Sequence, residues 1–207
     1  MKNIKGLMKA MYLAALAAVI TISFPIQSVS KEVQQQIPEP VVPVYSKLKN
    51  LHLTTQLVDQ SSAFISIVAP QVYVKEGLAI QKTIQEITGV EVPLLDDGGI
   101  EIPLQGNIIL LGNRSTNRVI SDLYDRAYTF LDLKYPGTGG FVVRSLHNPF
   151  GNGRNVLFAG GSDPEGVRAA ATALISSIRE AGGKKGSLSV NYIARIKLGT
   201  GYWGIIP

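Results

Sequence analysis

The chain has 207 residues, 45% of them hydrophobic, with 21 Gly, 11 Pro and no Cys. That is enough apolar chain for one buried core and too little for a large catalytic barrel with accessory parts. The lack of Cys excludes a disulfide scaffold, thiolate metal sites and cysteine nucleophiles. Two His, His52 and His147, leave little for a His-rich metal centre or a His-dependent triad.

The formal charge of +5 suggests nucleic acid until the N-terminus is read. Lys2, Lys5 and Lys9 precede an uncharged apolar run, Tyr12–Phe24, and then small residues at Ser28 and Ser30. A basic start, a short apolar core and small residues at −3 and −1 describe a secretory signal peptide cleaved after Ser30. The run is shorter than the roughly 20 residues a spanning helix needs, so no stable membrane span is expected after cleavage. Without Cys, a lipid anchor at a processed Cys is excluded. Cleavage would take three lysines and no acid from 20 basic and 15 acidic residues, leaving a formal charge of +2. Nucleic acid drops out as a partner, and the expected location is secreted, extracellular or periplasmic.

Residues 31–60 hold Gln34–Gln36 and then Pro38, Pro40 and Pro43. Proline at that density blocks helix and interior strand. The segment reads as a tether, with a short strand near Val41–Val44 as its one ordered option and His52 solvated. The domain proper is expected over 61–197, followed by a linker or tail over 198–207.

Within that domain, Phe64–Val68 reads as a strand. Val74–Thr88 reads as a helix, with Ile80, Ile84 and Ile87 at helical spacing and Gly89 at the left-handed stop. Val90–Leu95 is a short strand ended by Asp96-Asp97-Gly98-Gly99, a turn by composition. Asn107–Leu111 is the most apolar strand. Arg118–Ala127 follows as a helix with Ile120, Leu123, Tyr124 and Ala127 on one stripe. Phe141–Leu146 and Asn155–Ala159 read as strands joined through Pro149, Gly151 and Gly153. Val167–Arg179 is the clearest helix, stopped at Gly182-Gly183. Ser187–Ile196 alternates as a last, half-buried strand. The order β-α-β-β-α-β-β-α-β implies an α/β fold, a mixed sheet of about six strands with about three helices packed on it.

Two strand-to-helix turns invite chemistry: Gly112-Asn113-Arg114-Ser115-Thr116-Asn117 and Gly160-Gly161-Ser162-Asp163-Pro164. Backbone N–H groups and a helix dipole at such turns suit an anion. Neither carries the Lys-Ser/Thr of a phosphate loop or G-x-G-x-x-G spacing after its strand. Asp163 before Pro164 suits an N-cap, Ser162 to Glu165 has capping-box spacing, and an acid there opposes a phosphate. Gly112, Asn113, Gly160, Gly161 and Asp163 are therefore read as structural caps and turns. Asp96 and Asp97 are neighbours in a Gly-bounded turn, unlike two acids flanking a sugar bond. Ser115 and Ser162 have no His nearby and no G-x-S-x-G elbow exists. No catalytic residue, cofactor or metal site is expected. Arg144, His147 and Asn148 cluster near a turn and offer hydrogen bonds to a hydroxylated or anionic ligand. Tyr202 and Trp203 offer an aromatic platform.

The pieces "IQEITGVEVPL" (Ile84–Leu94), "IILLGN" (Ile108–Asn113), "GGFVVRS" (Gly139–Ser145) and "NVLFAGGSDPEGVRAAATAL" (Asn155–Leu174) resemble a known arrangement. It is the α/β domain preceding the catalytic barrel in secreted β-hexosaminidases, O-GlcNAcases and α-glucuronidases. "YPGTGGFVVRSLHNPFG" (Tyr135–Gly151) is also similar to N-terminal regions of bacterial polysaccharide-lyase-like proteins. The resemblance spans about 115 residues from Phe64 to Ile178 and rests on structural motifs. It departs from the family where Arg168-Ala169-Ala170 replaces a tyrosine-glycine in the last helix.

The resemblance implies a non-catalytic domain that packs on a catalytic carbohydrate-active domain, with the sugar-cutting acids further along. Its expected partner is that domain, and the chain is expected to be a short or truncated product of such a gene. Two other readings stay open. One is a free-standing extracellular glycan-binding module, taking polysaccharide through Arg144, His147, Asn148, Tyr202 and Trp203. The other is a small enzyme holding a phosphorylated ligand at the two Gly turns.

Overall fold

A computed structural model of the chain describes residues 53–201. The expected leader over 1–30, His52, and Tyr202 and Trp203 lie outside the described residues, as does most of the tether. Over the described residues the fold is α/β: a mixed six-stranded sheet, a smaller three-stranded sheet and three α-helices.

In chain order the elements are β1 (Thr54–Asp59), β2 (Ser62–Ala63), β3 (Ile65–Val68), α1 (Val74–Thr88), β4 (Leu94–Leu95) and β5 (Asn107–Leu111). Then follow α2 (Arg118–Asp125), β6 (Phe141–Leu146), β7 (Val156–Gly161), α3 (Pro164–Glu180), β8 (Leu188–Asn191) and β9 (Ala194–Lys197). The large sheet has the order β4-β3-β5-β7-β6-β9. β4, β3, β5 and β7 run parallel, and β6 is antiparallel to both β7 and β9.

β5 and β7 are buried along their whole length, on both faces. That is why NIILL and VLFAGG read as continuous apolar runs: a central parallel strand has no wet side. On one face, Ile65, Ile67, Ile109, Leu111, Leu157 and Ala159 pack against α1, α3, β1 and β8. On the other, Ile108, Leu110, Val156 and Phe158 pack against α2 through Val119, Ile120 and Leu123. The helices α1 and α2 therefore leave adjacent strands, β3 and β5, toward opposite faces.

Five sequence expectations change. The tether does not run to residue 60: Thr54–Asp59 is a strand, with Leu57 and Val58 fully buried in the core. β1 pairs antiparallel with β8 and turns into β2 through Gln60 and Ser61, both at positive φ (46° and 62°). Two left-handed residues in a two-residue loop match the twist of a hairpin, a geometry usually written Asn-Gly. The expected last strand is really two strands in two sheets, β8 beside β1 and β9 beside β6. The strand expected from Val90 reduces to Leu94–Leu95, and Ala127, at φ 60°, stands exposed beyond the end of α2 rather than on its stripe. Finally, residues 199 and 200 are tied to the domain: Gly199 N–H donates to Pro136 O (2.9 Å) and Thr200 bridges Thr138.

The placement of β1 makes a direct prediction. Leu57→Ala should destabilise the domain by about 2–5 kcal/mol, as for a fully buried leucine. Chemical denaturation measures it; a change within about 0.5 kcal/mol, the usual effect at an exposed site, would return the segment to tether.

Candidate functional site

In open α/β sheets, ligands bind outside the carboxyl ends of the strands, where neighbouring connections leave to opposite faces. Here that place is the gap between the ends of β3 and β5, continued to β7. The chain's own side chains fill it.

Asn117 is 1% exposed and sits at the mouth of the gap. Its Oδ1 accepts from Val119 N–H (2.9 Å) and Ile120 N–H (3.2 Å), which caps α2. Its Nδ2 donates to the last carbonyls of both strands, Leu111 O (3.0 Å) and Val68 O (3.4 Å). Tyr73, also buried, and Thr116 close in over Gly112, whose φ of 119° takes the chain out of β5. Burial pushes the Tyr73 phenol above its ordinary value, with the Thr116 hydroxyl acting against the shift.

Between β5 and β7, Asn113 plays the same part. Its Nδ2 donates to Gly161 O (2.9 Å) and its Oδ1 accepts from Ser115 N–H (2.9 Å). Gly160 and Gly161 end β7 in close backbone contact: a Cβ on Gly160 would meet the Gly112 carbonyl, and one on Gly161 would lie 2.5 Å from Gly166 C. Both helix starts carry a carboxylate. Asp163 is the N-cap of α3, accepting from Gly166 N–H (2.7 Å) and from Gly139 N–H (2.9 Å) of the neighbouring turn. Asp97 accepts from Arg118 N–H (2.8 Å) at the start of α2. Negative charge already sits where the helix dipoles favour it. The capping-box spacing from Ser162 to Glu165 does not describe the turn, because the Ser162 hydroxyl accepts from Gly137 N–H (3.0 Å) instead.

Gly112, Asn113, Gly160, Gly161 and Asp163 are thus brought together at one end of the sheet. Arg144, His147 and Asn148 belong elsewhere. Arg144 is exposed on β6, and His147 and Asn148 follow the end of that strand, where β7 begins. Asn148, at φ 42°, accepts from Gly153 N–H (2.7 Å) and shapes the connection to β7. The last described residues, Thr200 and Gly201, lie by Thr138, before the other end of β6.

Sequence reasoning missed a second asparagine pair. Asn107 and Asn155, 6% and 4% exposed, join the two sheets: Asn155 N–H donates to Asn107 Oδ1 (2.8 Å), Asn107 Nδ2 to Gln56 O (2.7 Å), and Asn155 Nδ2 to Thr55 Oγ1 (3.2 Å). It also passed over Asn117, although Asn directly before a helical stripe is a start signal. Among the described residues no group of three His, Cys, Asp or Glu is placed to hold a metal ion, and no helix is long and apolar enough to cross a membrane.

The fold defines a mixed-sheet α/β domain. No family model and no curated protein matches the chain. A solved structure of CpGH84D, whose name marks it as a glycoside hydrolase family 84 protein, is similar at 13% identity with a TM-score of 0.44. The match covers 72% of this chain and 23% of that one, so the chain spans about a quarter of the protein it matches.

Proposed function

We propose that the chain is a secreted, non-catalytic accessory domain of a carbohydrate-active enzyme, packing against the catalytic domain that breaks down polysaccharide. One observation carries the reading. The carboxyl ends of β3, β5 and β7 are closed by Asn113, Asn117 and Asp163, each already hydrogen-bonded on both sides. A small enzyme holding a phosphorylated ligand at these turns would have to break those bonds and displace a carboxylate. The resemblance of Phe64–Ile178 to the domains preceding glycosidase barrels supports the same assignment. So does the exposed apolar surface: Phe130 and Leu133 are 63% and 61% exposed, and Ile196 on β9 is 54% exposed.

Reading the gene beyond the codon for Pro207 tests it. An in-frame region with paired catalytic acids is the expected result. A stop codon, or a continuation without such a region, overturns packing within one chain and moves the free-standing glycan-binding module to first place.

A further inference from the structure

Where the chain leaves the small sheet for the large one, β8, β9 and the end of α3 enclose an open groove of about 470 Å³. That lies within the range of small-ligand sites. Its chemistry differs from that of the closed strand ends. Tyr192 is 48% exposed and lines the groove. Beside it, Ser189 and Asn191, both exposed, line the same space. The only charged residues in the lining are Glu180 and Arg195, and they neutralise each other at 2.7 Å. The Ser176 hydroxyl donates to the other Glu180 oxygen (2.8 Å), and these bonds, Ser176 first, hold the carboxyl below its ordinary value. The pair is electrically balanced.

We propose that this groove binds a neutral oligosaccharide. A half-exposed phenol ring offers an apolar face to the C–H surface of a sugar ring. A hydroxyl, a carboxamide and the outer edge of a guanidinium–carboxylate pair offer donors and acceptors to its hydroxyl groups. A net charge of zero gives no advantage to an anionic or cationic ligand. An apolar ligand would cover the Ser189 and Asn191 groups without offering them a hydrogen bond. The inference rests on the groove alone and is independent of whether the chain packs against a catalytic domain.

The test is a two-dimensional amide NMR titration of the full chain with cellohexaose, xylohexaose and mannohexaose. Hexagalacturonate and a Ser-Ala hexapeptide serve as anionic and polypeptide probes. The expected result is shifts at Ser189–Arg195 with at least one neutral hexasaccharide at millimolar concentration. Tyr192→Ala should weaken that binding about tenfold, and Tyr192→Phe, which keeps the ring, should retain it. Both variants should melt with the parent, since the side chain is half-exposed. Shifts only with hexagalacturonate, only with the peptide, or outside the groove overturn the proposal, as does the absence of any shift. Equal binding by Tyr192→Ala overturns it too.

Discussion

Asn117→Ala is expected to cost about 2–4 kcal/mol, because one buried side chain serves three elements. Losing the cap on α2 accounts for about 1 kcal/mol. The rest comes from stranding the last carbonyl of β5, at about 1–3 kcal/mol for a buried acceptor left unpaired; Val68 O keeps its partner in the β3–β5 ladder. The melting temperature should fall by about 10 °C, taking about 2–4 °C per kcal/mol for a domain of this size. Asn117→Asp separates the two roles. A carboxylate keeps the acceptor for Val119 and Ile120 N–H but has no donor for Leu111 O and Val68 O. It should therefore recover little of the loss. If Asp were as stable as Asn, the side chain would be only a cap, and the gap between β3 and β5 would be open to a ligand. Thermal melts of the three proteins decide between these.

Periodicity exposed the layers of this domain. Asn107–Leu111 and Phe141–Leu146 have the bounds read from their apolar pattern, and Val74–Thr88 keeps its stripe and its Gly89 stop at φ 74°. What periodicity hid was context. β1 was hidden because Thr54–Asp59 carries mixed polar and apolar residues, follows a proline-rich stretch, and turns through Gln-Ser rather than Asn-Gly. Its identity as a strand comes from pairing with β8, which is more than a hundred residues away in sequence. The split between β8 and β9 was hidden for the opposite reason. Leu188, Val190, Tyr192, Ala194 and Ile196 alternate with mostly polar neighbours through the point where the chain changes sheets; the exception is Ile193, which is buried there and whose N–H donates to Ser145 Oγ (3.0 Å). A pattern of period two with one apolar exception reports strand geometry and not strand partners. Capping by Asp163 was legible because it is local. The Asn113 bridge to Gly161 and the Asn155–Asn107 pair join residues 48 apart, and no local pattern encodes such a meeting.

The Gly160-Gly161 pair sharpens that distinction, since in sequence it suggests a phosphate cradle and in the fold it is a place where backbones touch. Gly160→Ala is expected to be among the most damaging single substitutions, costing about 3 kcal/mol or more. The new methyl would meet the Gly112 carbonyl on β5's exit and the Leu131 side chain at once. Leu131 has rotamers to spare, whereas the Gly112 carbonyl is held from both sides: its own N–H donates to Ala159 O (3.4 Å), and Asn113 beside it is fixed by Gly161 O. Relief would require β5 and β7 to part at their carboxyl ends, which would also loosen the Asn113 bridge. Gly99→Ala is the matched control, because a Cβ there meets nothing within 4 Å. It should leave stability unchanged or raise it by about 0.5 kcal/mol through the unfolded chain. Urea denaturation of the two variants tests the argument. If Gly160→Ala were as stable as Gly99→Ala, the strand ends would have room to separate. The glycines would then be explained by approach of a ligand to the backbone, and the reading of a closed, non-catalytic sheet edge would fall.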